Sequence, residues 1–274
     1  MQRRQAAVMG LACLVPPLRS LLAATHSPAP GSAISTTPAA HVAVPASLRL
    51  LTEEFPPINF SQGGQPSGFS VEIVQAIQQR LGQALPIEVM PWARAFREAQ
   101  TPAPTALFAT ARIPEREALF QWVGPLVQFR STFYARAGSN HRLHALEQAR
   151  RASRVLVVRD WYTAQQLTSA GFKNLHPVSD PVQGLRMLLA GRAPLFAAER
   201  VSMPRILQQA GLAASQVREV FGFAVSEGYI AFSRSTPRST VAAWQAQLHE
   251  LRRDGTFQAI HKRWLPQEPL PPHA

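Results

Sequence analysis

From about Ser47 to Trp264, short apolar runs alternate with segments of helical periodicity, and this alternation constrains the fold more than any other feature of the chain. Strands that alternate with helices build an α/β architecture, with helices covering the faces of the sheet. Residues 48–51 form a short apolar strand, ending in a loop stiffened by Pro56 and Pro57. Gly63-Gly64 and Pro66-Ser67-Gly68 mark a turn. Val74, Ile77 and Leu81, widened by Ile73, then fall on one face of a helix that Ser70 caps and Gly82 stops. Residues 86–90 are the next strand, followed by a short helix over 92–100 and a strand over 105–109.

The pattern continues with strands at 132–136, 155–158, 195–197, 217–221 and 229–232. Helices are predicted around 143–148, over 163–170 and over 181–189, with another from a Ser202 cap to about 209 that carries Pro204 in its first turn. A long helix over about 237–253 sets Val241, Trp244, Leu248 and Leu251 on one side. Asp254-Gly255-Thr256 separates it from a last helix through Trp264. No internal repeat is evident.

The first 24 residues read as an export signal. A basic start at Arg3-Arg4 precedes an apolar stretch that Pro16-Pro17 and Arg19 interrupt, and Ala23-Ala24 offer a cleavage point. The stretch is too short and too broken for a good membrane span, which needs roughly 20 apolar residues. Residues 25–45, rich in Ala, Pro, Ser and Thr, read as a flexible tether. The expected location is therefore periplasmic. Cys13, the one cysteine, follows Gly10-Leu11-Ala12, a weak match to a lipoprotein box. A mature chain without it has neither a disulfide nor a cysteine ligand or nucleophile. The net charge of +12 comes almost wholly from arginine, since lysine occurs only at 173 and 262. No basic run exceeds two residues and no reader motif accompanies the charge, so a nucleic-acid partner is not expected.

Six ordered blocks resemble bacterial extracellular solute-binding proteins of family 3, the periplasmic amino-acid receptors of ABC importers. They are Thr52-Glu53 with Phe55-Pro56-Pro57; Gly68-Phe69-Ser70-Val71-Glu72; Trp92 after the second strand; Pro114-Glu115-Arg116 with Phe120, Trp122 and Gly124-Pro125; Leu188-Leu189-Ala190-Gly191-Arg192 with Glu199; and Arg253-Asp254-Gly255-Thr256-Phe257 with Ile260 and Lys262-Arg263-Trp264. The resemblance covers residues 47–266. It implies a two-lobed, type II periplasmic-binding-protein-like fold with the ligand cleft between the lobes. Lobe 1 would comprise 46–130 and 226–268, and lobe 2 would comprise 131–225, with hinges near 127–131 and 224–228. Closure over the ligand is the expected motion.

The resemblance also implies the site. Arg116 occupies the position that forks onto a ligand carboxylate, a task suited to a planar, bidentate donor. Arg112 is a second candidate for that role, and a surface arginine is the plain alternative for each. Glu53 and Glu199 stand where acidic partners of a ligand ammonium usually lie, one from each lobe. Phe55 and Trp92 could sandwich the ligand, or serve as core. Two runs depart from the family pattern. Phe108-Ala109-Thr110-Ala111-Arg112 keeps one hydroxyl, at Thr110, before the arginine. Arg159-Asp160-Trp161-Tyr162-Thr163 replaces a Gly-Ser/Thr loop at a helix start with bulk and charge, leaving Tyr162 and Thr163 as candidate ligand contacts, with a helix cap the alternative for Thr163. Pro194 also stands where the family usually has Asp, at a position expected to be structural and not to bear on the ligand, unlike the two runs. These departures tell against an ordinary α-amino acid.

Some signals carry no chemistry. His141 and His144 have the spacing of a helix-face metal pair, but no third ligand is near in sequence and no His-Glu-x-x-His pattern exists. No phosphate loop, dinucleotide fingerprint or nucleophile elbow appears, so no cofactor or metal is expected. The expected protein is a monomeric binding protein that hands a small, amino-acid-like solute to a membrane permease of an ABC transporter. An enzyme resembling cyclohexadienyl dehydratase on the same fold, with Glu199 as general acid, is the alternative. A sensor module is a third class, without the signalling domains such proteins carry.

Overall fold

Two 17-residue strands organise the molecule: β6 (Phe120–Arg136) and β10 (Val217–Ser233) run antiparallel along their whole length. The computed structural model describes residues 48–272. The proposed signal and tether therefore lie outside the described residues. Around β6 and β10 lie β1 (Arg49–Thr52), β4 (Ile87–Val89), β5 (Thr105–Arg112), β7 (Val155–Val158), β8 (Leu175–Val178) and β9 (Leu195–Glu199), in the order β4-β1-β5-β10-β6-β9-β7-β8. A small hairpin joins β2 (Phe60–Gln62) to β3 (Gln65–Ser67). The helices are α1 (Phe69–Arg80), α2 (Trp92–Glu98), α3 (Leu146–Ala149), α4 (Tyr162–Ser169), α5 (Pro181–Leu189), α6 (Met203–Ala210), α7 (Arg238–Arg253) and α8 (Thr256–Trp264).

The fold is two-lobed. In the first lobe the parallel strands β4, β1 and β5 pack against α1, α7 and α8, burying Phe69, Ile73, Ile77, Phe108, Phe232, Trp244 and Leu248. In the second, β7 lies parallel to β8 and β9. One of its faces packs on α5 and α6 through Leu156, Leu185, Leu188 and Phe196, and the other on α4 through Val155, Val157 and Leu167. Each such fully buried side chain contributes about 1.5–3 kcal/mol. Midway along the β6–β10 ladder, Val127 pairs with Gly228, Phe129 with Ser226 and Ser131 with Ala224, with register shifts on either side.

Several elements differ from the sequence pattern. The expected strands over 217–221 and 229–232 are one strand, and 132–136 is only the end of β6. Gly124-Pro125, Gly222 and Gly228 break the alternation that would have shown these long strands. β8 was missed because His176 and Pro177 interrupt its apolar run. Ser70 does not cap α1. It is fully buried, and Gly68 holds the cap position at φ 117°, where an added Cβ would stand 2.6 Å from the Ile58 carbonyl oxygen. Ser202 does stand at the start of α6, yet its hydroxyl donates to the Glu199 carbonyl oxygen instead of accepting from the helix. α3 is a single turn, and His141 and His144 lie before it in a loop, not on a helix face.

Candidate ligand cavity between the lobes

The parallel strands of each lobe end at the cleft, as such sheets require of a binding crevice. β1 leads into Glu53 and Phe55, β5 ends at Ala109, Thr110, Ala111 and Arg112, β7 leads into Trp161 and Tyr162, and β9 ends on Glu199. A cavity of about 20 Å³ lies between them, lined by Glu53, Phe55, Trp92, Ala109, Ala111 and Arg116, with Phe129, Trp161, Tyr162 and Glu199 completing the wall. That space suits about one water molecule.

Arg116 sits in a 3-10 turn, Pro114–Leu119, opened by Pro114. The residue is 2% exposed, and its guanidinium lies 4.7 Å from the Trp92 ring centre and 5.0 Å from that of Phe96 and donates from Nη2 to Gln165 Oε1 at 2.9 Å. Nε has no partner, and no carboxylate forms an ion pair with it among the described residues. Desolvation pulls its pKa down to about 10, with Glu53 the strongest opposing charge. A buried cation without a counter-ion is costly unless something anionic completes it.

The carboxylates respond to the same dry surroundings. Glu199 is 1% exposed, and burial pushes it up to about 7 against the lowering effect of Tyr162 and Ser131. Ser131 Oγ lies 3.0 Å from Glu199 Oε1 and 3.1 Å from Gln166 Oε1. Glu199 Oε2 has no partner, nor does the nearby Tyr162 hydroxyl, whose pKa burial raises well above the ordinary value. Glu53 keeps some solvent contact, and desolvation lifts it to about 8 against the pull of Arg116. Phe55 meets Phe129 and Trp161 edge-on at 5.5 Å and 6.3 Å, and Phe129 lies 5.8 Å from Tyr162. The interior is thus an aromatic box with one guanidinium and two carboxyl groups.

Contacts cross the cleft around it. Trp92 Nε1 donates to the Asp160 carbonyl oxygen at 3.1 Å, Arg116 reaches Gln165, and Ser169 Oγ donates to Glu115 Oε1 at 2.5 Å. The lobes are therefore drawn together in this structure.

Of the residues singled out in the sequence, the cavity brings together Glu53, Phe55, Trp92, Arg116, Tyr162 and Glu199. Thr110 is buried and points away, its Oγ1 donating to the Leu107 carbonyl oxygen at 3.0 Å, because Ala109 and Ala111 on either side face the cavity. Arg112 lies outside, bonded twice to Glu117 at 2.7 Å and set against Trp122 and Tyr229. Thr163 is buried in the first turn of α4, off the cavity wall, and its Oγ1 has no partner. Sequence reasoning missed Phe129, Trp161, Ala109 and Ala111. Period-two alternation along β5 would have pointed to the alanines, and the position of Trp161 just ahead of a helix start would have pointed to it. Phe129, inside a strand crossing between lobes, carries no local signal. No group of three or more His, Cys, Asp or Glu is placed to hold a metal among the described residues.

The sequence model of the bacterial extracellular solute-binding proteins, family 3, matches residues 48–267. Among solved structures, a histidine kinase sensor domain with similarity to periplasmic binding proteins superposes with a TM-score of 0.72 at 23% identity, covering 81% of this chain and 98% of that one. A mutant of ArgBP from T. maritima gives 0.66 at 17% identity over 81% and 96% of the two chains. The arginine-, lysine-, histidine-binding protein ArtJ from Geobacillus stearothermophilus gives 0.66 at 16% over 81% and 96%. At such identities these structures share the fold. A search of curated proteins finds no match.

Proposed function

The chain belongs to the bacterial extracellular solute-binding proteins, family 3, and from that premise we propose that it captures a small carboxylate-bearing solute, an amino acid or a relative, for a membrane permease of an ABC transporter. The observation that carries this proposal is Arg116. Its charge is buried and unpaired, it lies against the rings of Trp92 and Phe96, and its Nε is unpartnered. A ligand carboxylate supplies the missing counter-ion, and the planar fork receives it through two parallel bonds. Glu199 and Glu53 then take the ligand's cationic end. Its arrival keeps both ionised, since an opposite charge nearby favours the charged form.

In this proposal the first lobe comprises 46–130 and 226–268 and the second 131–225, turning about the paired segments 127–131 and 224–228. A cavity of about 20 Å³ is too small for an amino acid, so capture requires the lobes to part and re-close. Calorimetry on Arg116→Lys tests the anchor. Affinity for the solute should fall at least about tenfold, because lysine keeps the charge and loses the fork. Unchanged affinity would remove Arg116 from the site.

Glu199 supports a second possibility. A buried carboxyl near 7 can act as a general acid at neutral pH. Conversion of prephenate or arogenate to an aromatic product would establish a dehydratase; binding without turnover favours the solute receptor.

A further inference from the structure

Arginines that are scattered in the sequence are gathered by the fold. At the end of the second lobe remote from the cleft, β6 finishes and β7, β9 and β10 begin: Val217 pairs with Arg136, Phe196 with Tyr134 and Leu195 with Val155. The connecting segments 136–154, 173–174, 190–194 and 216–218 all meet there. Arg136, Arg142, Arg151, Arg154, Lys173 and Arg192 on them are exposed, and none makes an ion pair or a side-chain hydrogen bond among the described residues. The carboxylates at this end are Glu147 and, one residue beyond the last segment, Glu219 opposite Tyr134 on β6, two against the six free cations.

Among the described residues of the first lobe, unpaired arginines such as Arg97, Arg234 and Arg238 stand among arginines that are paired. There Arg49 pairs with Glu88 and Glu98, Arg80 with Asp254, Arg94 with Glu98, and Arg263 with Glu72. Two further arginines at the basic pole are occupied internally. Arg150 donates to the Ala170 carbonyl oxygen, and Arg218 donates to the carbonyl oxygens of Ser139 and His141, pinning the loop that carries Arg142. Arg136, Arg142 and Arg151 share one open groove with His141 and His144.

Like charges held together in excess of their counter-charges repel, and they create a potential that draws anions. Guanidinium forks match phosphate oxygens in geometry. The large exposed apolar side chains among the described residues are Val225 and Leu270, and neither is at this pole. The contact it can make is electrostatic and does not insert. We propose that this pole rests on a membrane surface rich in anionic phospholipids, with headgroup phosphates meeting the free arginines. The strand ends that carry Trp161 and Glu199 point the other way, so solute access is left open. The proposal is independent of which solute the cleft takes.

Co-sedimentation of the full chain with vesicles tests this. Binding to phosphatidylglycerol–phosphatidylcholine vesicles should exceed binding to phosphatidylcholine alone and collapse at about 0.5 M salt. The triple variant Arg142→Gln, Arg151→Gln, Arg154→Gln should lose about a hundredfold in partition. The triple variant Arg97→Gln, Arg234→Gln, Arg238→Gln, which removes as much exposed, unpaired charge from the first lobe, should bind nearly as the parent. Thermal unfolding confirms that each variant is folded. Equal loss in both variants overturns the proposal in favour of net charge alone. Salt-insensitive binding that survives the first variant overturns it in favour of the apolar N-terminal stretch. Binding to a polyglutamate peptide without binding to anionic vesicles also overturns it, and assigns the pole to an acidic protein.

Discussion

Replacing Arg116 by methionine should make the empty protein more stable while abolishing solute capture. Desolvation pulls the guanidinium from its ordinary 12.5 to about 10, a penalty of about 3 kcal/mol on the charged form. The cation–π contacts with Trp92 and Phe96 and the bond to Gln165 return about 1–2 kcal/mol. A net burden of about 1–2 kcal/mol remains in the empty protein. The group is charged at every pH below about 10, so the burden is present at neutral and acid pH and is relieved only as pH rises through that value. Methionine keeps an unbranched stem against the Trp92 and Phe96 rings and leaves no charge behind. Its melting temperature by scanning calorimetry should therefore rise by about 2–8 °C in the absence of solute, and titration calorimetry should show no binding. A variant that melts lower than the parent and still binds solute would show that Arg116 is a structural residue and would refute the reasoning.

The raised carboxyls set a pH dependence. Glu199 near 7 and Glu53 near 8 hold protons that the unfolded chain releases near 4.5, so stability of the empty protein should fall as pH rises from about 5 to 8. Glu199→Gln should flatten that fall in thermal melts, and an unchanged slope would contradict the assignment. An ammonium-bearing solute should bind more tightly at pH 8 than at pH 6 by titration calorimetry. Trp92→Phe keeps an aromatic face for Arg116 but loses the cross-cleft bond to Asp160, and should weaken affinity by about threefold to tenfold. Small-angle scattering should show a smaller radius of gyration with solute than without, and one rigid shape in both states would count against the hinge.

Much of the fold could be read from local patterns, because helical and strand periodicity is local. Val155–Val158 and Pro181–Leu189 have the limits expected of them, and Asp180 caps α5 through the Gln183 amide. The long strands β6 and β10 were not legible, since their continuity rests on pairing partners 81 to 113 residues apart and not on their own alternation. The same division holds at the cavity. Glu53, Arg116 and Glu199 were named because they lie in ordered blocks that resemble the family's, and such blocks are legible in a sequence. Phe129 and the small walls at Ala109 and Ala111 belong to the cavity only because two lobes meet there. The basic pole is a further case, where charge dispersed along the chain becomes dense only in three dimensions.

The central claim is that the cavity takes a carboxylate on Arg116. Thermal shift with matched pairs of solutes tests it most directly, each amino acid against the amine that lacks its α-carboxylate, because a ligand that binds only the native state raises its melting temperature. At least one amino acid should raise the melting temperature of the parent protein while its matched amine leaves it unchanged. Amines that stabilise the protein as well as their parent amino acids would contradict the claim.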